Sequence, residues 1–167
     1  APFASVLGGQ QNSAQGEKSA IGGGINNTTS GLISVIAGGS DNNATFLNAT
    51  VGGGALNSAG GIGATIGGGV SNSATNNHAS VSGGNFNTAG GPYSTVPGGL
   101  SNEATGNYSF AAGRRAKAIN AGSFVWGDRT DADFSSTDPD QFLIRATGGV
   151  GIGATNPKGS LHVANGG

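Results

Sequence analysis

The chain has 167 residues, including 35 Gly and 5 Pro, and its seven basic and eight acidic side chains give a formal net charge of −1. This balance argues against nucleic-acid binding, which needs a basic surface, and no apolar run approaches the roughly 18 residues of a membrane span. The lack of Cys excludes disulfides and thiolate metal sites and leaves the redox compartment open. Because the chain starts without Met or a signal peptide, we expect a fragment whose export signal lies elsewhere.

A repeat of 15 residues occupies the first two-thirds of the chain. A fixed period of this kind indicates a chain wound into stacked coils. The glycine content borders on that of disordered chains, but a disordered chain has no reason to keep one register. We predict an all-β, parallel β-roll of 15-residue coils over residues 1–128. Its frames begin at Ala4, Ser19, Ser34, Ala49, Ala64, Ala79, Ser94 and Ser109.

The third position of each frame is β-branched and is expected to pack inside the roll on a strand of three to four residues. The fifth and sixth positions are Gly-Gly in every frame, which ends a strand and permits positive φ at a corner. A thirteenth position rich in Gly indicates a second corner, so each coil should contain two strands and two corners. The third-position residues are Val6, Ile21, Ile36, Val51, Ile66, Val81 and Val96.

The ninth position is Asn in seven successive frames. Stacked amides can form a ladder of hydrogen bonds along the roll and can also hold their own turns. A row of ligand-binding amides is the alternative, and we favour the structural ladder. The residues are Asn12, Asn27, Asn42, Asn57, Asn72, Asn87 and Asn102.

The fourteenth position holds Leu32, Leu47 and Ile62 in successive frames, which predicts an apolar ridge on one outer edge. Apolar side chains left in water forfeit the free energy that burial would supply. We therefore expect a partner chain to cover this ridge, in preference to a ligand site. With so little large apolar surface in one chain, a homo-oligomer is the expected state.

Two groups of side chains are candidates for ligand binding. Arg114, Arg115 and Lys117 could form a basic belt for an anionic glycan, although pairing with the Asp-rich loop of a neighbouring chain is the favoured interpretation. His78, Tyr93 and Tyr108 share the fifteenth frame position, where aromatic rings could stack on sugars. Scattered surface residues are the simpler interpretation of that edge.

The period falls from 15 to 14 residues after Ser109. The pattern Ser-x-Ala-x-Gly-x-x-Ala-x-Ala-x-x-x-Gly from Ser109 to Gly122 resembles the YadA-like head repeat of trimeric autotransporter adhesins. That resemblance implies a left-handed parallel β-roll in which three chains associate side by side. Trp126, just after this pattern, is assigned a structural role.

The segment from Gln141 to Pro157, followed by Leu161-His162-Val163, is similar to a second element. Phage-tail-like and bacterial surface fibres carry such a segment just before an endosialidase-type intramolecular chaperone. We therefore expect residues 129–167 to form a polar loop and a β-rich trimeric neck or tail.

Five acidic residues fall between Asp128 and Asp140, where Asp-x-Asp spacing can hold Ca²⁺. The EF-hand order and the calcium-binding nonapeptide are both absent, so a polar linking loop is favoured and no metal or cofactor is expected. No Ser/His/Asp or paired-carboxylate constellation stands out, and we expect no enzyme activity.

These observations favour a structural and adhesive module of a trimeric surface fibre, located outside the cell and binding a cell surface, matrix, glycan or protein receptor. A role in virulence goes with that expectation. A phage-tail-like receptor-binding fibre is the alternative with the same fold. An ice-binding solenoid is a third possibility, because Thr50, Thr65 and Thr95 share one face, but Ala20, Val35 and Ser80 interrupt their row.

Overall fold

The computed structural model describes residues 1–164 and shows a parallel β-solenoid of about 11 turns. Across those residues all regular elements are short strands, and no helix is present. The predicted all-β roll of 15-residue coils is therefore confirmed. Each of the early coils contributes one strand to each of two sheets, as the two-strand, two-corner pattern predicted.

We call the larger sheet the front sheet and number all strands in chain order. Its strands are β1 (Ser5–Val6), β3 (Ala20–Ile21), β5 (Val35–Ile36), β7 (Thr50–Val51), β9 (Thr65–Ile66), β11 (Ser80–Val81), β13 (Thr95–Val96), β14 (Gly99–Leu100), β16 (Phe110–Arg114), β18 (Phe124–Gly127) and β20 (Phe142–Arg145).

The opposite sheet is called the back sheet. Its strands are β2 (Ser13–Ala14), β4 (Thr28–Thr29), β6 (Asn43–Ala44), β8 (Ser58–Ala59), β10 (Ser73–Ala74), β12 (Thr88–Ala89), β15 (Glu103–Ala104), β17 (Ala116–Ala118) and β19 (Phe134–Ser135). A separate two-stranded sheet pairs β21 (Val150–Ile152) with β22 (Leu161–Val163).

The strands of the 15-residue coils are only two residues long, so the prediction of three to four residues was wrong. The corners take more of each coil than the glycines alone indicated. Left-handed backbone also occurs at the eighth and fifteenth frame positions, for example at Leu56 (φ 59°) and Ile33 (φ 57°). Non-glycine residues seldom adopt this conformation, so composition alone did not reveal these corners.

The strand register reproduces the sequence period. Ser5 pairs with Ala20, and the same offset of 15 continues to Thr95 with Phe110. Gly99 then pairs with Gly113, an offset of 14. One glycine of the Gly-Gly corner is lost between these two points, which explains why the period shortens.

Both sheets continue past residue 128, through β19 and β20. The turn between β18 and β20 is longer than its predecessors, because Phe124 pairs with Phe142 at an offset of 18. The extra residues form the Asp-rich loop. The predicted division into domains after residue 128 is thus not marked by a break in either sheet.

The core is thin and is filled from two sides. Third-position side chains of the front sheet, from Ile21 to Val96, are fully buried, and they face a back-sheet row of alanines. Thr29 replaces one alanine, and its hydroxyl donates to Ser19 Oγ at 3.0 Å. Val6 lies in the first coil and is 42% exposed, so this predicted core residue is not enclosed.

Candidate functional site

The asparagine row forms the predicted ladder inside the solenoid. Asn42 N donates to Asn27 Oδ1 at 3.0 Å, and Asn42 Nδ2 donates to the carbonyls of Gly38 (3.1 Å) and Gly54 (2.9 Å). The pattern repeats in each coil up to Asn102, whose Oδ1 accepts from Ala116 N at 3.0 Å. Six of the seven side chains are buried, and Asn12 in the first coil is half-buried. These amides are occupied by the protein itself, so they do not form a ligand-binding row.

The fifteenth-position aromatics form a continuous stack on one edge. His78 and Tyr93 have ring centroids 5.1 Å apart, and Tyr93 and Tyr108 are 5.4 Å apart with nearly parallel planes. Tyr108 is 68% exposed and Tyr93 is also exposed. One residue per coil at a positive-φ corner carries each ring outward. The structure therefore brings together three candidates that lie far apart in the sequence.

The apolar ridge lies on the same edge, several coils earlier. Leu32, Leu47 and Ile62 are exposed there, as predicted, and Ile33 and Phe46 add to the patch. Toward the C-terminus, polar Asn77 and the aromatic stack replace the aliphatic side chains. One edge of the rod thus changes from aliphatic to aromatic along its length.

The basic residues lie at the opposite corner, away from the aromatic stack. Arg114 Nη2 contacts Asp131 Oδ1 at 2.9 Å, and Arg115 Nε contacts Asp133 Oδ1 at 2.9 Å. Lys117 Nζ contacts Glu103 Oε2 at 3.3 Å. The favoured pairing interpretation is thus seen, within one chain.

Arg145 and Asp128 fix the Asp-rich loop against the solenoid. Arg145 Nε contacts Asp128 Oδ1 at 3.2 Å, and its Nη1 donates to the Ala132 carbonyl at 2.8 Å. Asp128 also accepts backbone hydrogen bonds from Thr147 N (2.8 Å) and Thr130 N (3.0 Å). These bonds, that from Thr147 foremost, hold the pKa of the Asp128 carboxyl well below its usual range.

Two further features were not predicted from the sequence. Phe110, Phe124 and Phe142 stack on the outside of the front sheet, with successive centroids 4.7 and 4.6 Å apart. Trp126 does not lie in the core: it is 37% exposed and lines an open, mostly apolar groove of about 730 Å³ with Leu100 and Pro157. The 14-residue spacing of the first two phenylalanines was the available signal. The 18-residue step to the third concealed the row.

The acidic side chains do not converge on a cation site. Within residues 1–164, no group of three or more His, Asp or Glu side chains is arranged to hold a metal ion. The same residues include no helix long and apolar enough to cross a membrane. No protein-family model matches the chain, and no curated protein matches it at a significant level.

Proposed function

We propose that this chain is a structural and adhesive module of a trimeric, extracellular surface fibre that binds a cell-surface glycan or protein receptor without catalysis. The observation that carries the proposal is a slender solenoid with an exposed aromatic stack on one edge. A rod holds such residues at fixed intervals and offers them to a partner. The resemblance of the Ser109–Gly122 pattern to YadA-like heads supports a left-handed roll and three parallel chains.

The distribution of charge supports binding over chemistry. Asp128, Asp131 and Asp133 each contact an arginine, which leaves them poorly suited to act as general acid or base. Arg114 and Arg115 are likewise compensated, so a basic belt for anionic glycans is less favoured than in the sequence-based interpretation. Aromatic rings contribute binding energy without any charge. The Tyr93–Tyr108 portion of the stack is the proposed receptor contact.

The oligomeric part of the proposal is tested by light scattering after size exclusion of the whole chain. We expect a mass of three chains at micromolar concentration. A well-folded monomer would remove the physical basis of the fibre, because the exposed aliphatic side chains would then have no partner chain.

The receptor-binding part is tested on a glycan array and on whole cells. We expect the double variant Tyr93→Ser and Tyr108→Ser to lose at least tenfold in binding. The control Phe86→Ser removes an exposed ring at the other corner and should bind like the original chain. Equal binding by the double variant would show that the stack is not the contact.

A further inference from the structure

The outer surface of the front sheet differs from the rest of the molecule in its complete lack of charge. Two outward rows run along it: one from Ser5 to Phe142 and one from Leu7 to Ile144, with a member of each row on ten successive strands. None of these twenty positions is Asp, Glu, Lys or Arg. The back sheet, in contrast, carries Glu103 and Lys117 on its outer surface.

The same surface is flat in its middle and aromatic at one end. Gly22, Gly52 and Gly67 in the second row leave the sheet without protruding side chains. At the C-terminal end, Phe142 is 69% exposed and lies beside the partly exposed Trp126. An uncharged surface that also exposes large aromatic rings is typical of a protein interface.

We propose that the front-sheet outer surface is where a second copy of this chain packs, side by side and in parallel. This inference rests on the trimeric fibre proposed above and assigns the surface that makes the trimer. The uncharged surface follows the whole length of the sheet with one strand per coil. A partner that matches it from end to end needs the same axial repeat, and another copy of this chain has that repeat.

The area of the surface agrees with a contact that includes one neighbouring corner. Nine inter-strand spacings of about 4.8 Å and a width of about 10 Å give a footprint of roughly 430 Å². Stable interfaces bury about 800 Å² on each partner. The adjoining seventh-position corner, with Ile25, Val70 and Leu100 exposed, and the groove beside Trp126 supply further apolar area. We include both in the proposed contact.

A charge introduced on this surface should dissociate the oligomer. We expect the double variant Thr65→Lys and Ser80→Lys to elute as a monomer at a concentration where the original chain is a trimer. The matched control Ser58→Lys and Ser73→Lys places the same charges on neighbouring coils of the back sheet and should remain trimeric. A trimer in the first variant, or a monomer in the control, would overturn the assignment.

A second measurement does not depend on the lysine variants folding. The chain lacks Cys, so Thr65→Cys and Ser73→Cys each add a single thiol. In the native assembly we expect maleimide to label the front-sheet thiol at least tenfold more slowly than the back-sheet thiol. Equal rates in a trimer would refute the surface and leave the proposed function standing. A monomeric original chain would refute both.

Discussion

At the scale of single residues, the two glycines of each corner differ in what surrounds them. Gly68 has extended or ordinary backbone, and an added Cβ would meet only the Gly53 carbonyl oxygen at 3.9 Å. Gly69 has a φ of 88°, and a Cβ there would collide with the backbone of Gly84 and approach Asn72 Nδ2 at 2.7 Å. The second glycine therefore sets how closely the coils approach one another.

Alanine at these two positions should give opposite results. We expect Gly69→Ala to lower the free energy of unfolding by about 3 kcal/mol or more, since it combines strain with a backbone collision. Gly68→Ala should be neutral or stabilising by up to about 1 kcal/mol, because it only restricts the unfolded chain. Denaturant titration of both variants measures the difference. Equal losses would show that coil spacing does not depend on the second glycine.

The buried amides lend themselves to a similar comparison. Asn57 Nδ2 donates to the carbonyls of Gly53 and Gly69, both at 2.9 Å. Asn57→Asp replaces this donor by an oxygen that repels both carbonyls, and we expect a loss of about 3 kcal/mol or more. The exposed Asn48 is the control, because Asn48→Asp keeps a residue type that tolerates positive φ. Its free energy of unfolding should change by less than about 0.5 kcal/mol.

At the scale of elements, the Asp-rich loop depends on a buried ion pair. Asp128 is 11% exposed and Arg145 is 17% exposed. Arg145 also lies over the Phe134 ring at 5.2 Å and donates to three carbonyls of the loop and of β16. The loop is therefore held by one guanidinium that β20 supplies.

This arrangement makes the stability of the loop depend on pH. The folded chain lowers the pKa of Asp128, so its contribution is complete above the ordinary value of 3.8 and is lost as the pH falls below it. We expect Asp128→Asn to weaken the loop at pH 7 and to flatten the fall in stability between pH 4 and pH 2. Hydrogen exchange of the amides of Thr130 and Thr147 at several pH values measures this. An unchanged acid profile would contradict the assignment.

At the scale of the whole molecule, the solenoid should tolerate the loss of one complete coil. Deleting residues 64–78 brings β7 next to β11 and Asn57 next to Asn87 in the register the other coils use. Stability in such folds is close to a sum over neighbouring repeats. We expect the shortened chain to keep its β-sheet circular dichroism and cooperative unfolding.

A shorter deletion is the matched control. Removing only residues 64–71 would leave half a coil and place back-sheet residues where the front sheet needs its Ile and Val side chains. We expect this variant to lose more stability than the 15-residue deletion, although it removes fewer residues. The reverse order would argue against a register fixed by complete coils.

The sequence predicts the periodic part of this structure well, because the third-position side chains and the Asn row repeat without interruption. It predicts less where no repeat exists. The contacts of Arg145 join residues up to 31 apart, and no local pattern announces them. The strand lengths were overestimated because Leu56 and Ile33 turn the chain at positive φ. Trp126 was assigned a structural role by type, whereas the alternation along β18 puts it outside.

The hydrogen bonds between coils run along the axis of the rod, and this direction governs its response to tension. A pull on the two ends loads those bonds lengthwise, so a terminal coil should peel away before the interior ones. Each released coil frees 15 residues, about 50 Å of extended chain, in exchange for a loss of about 5 Å of rod. A tether of this design lengthens in even steps and absorbs a sudden load without breaking at once.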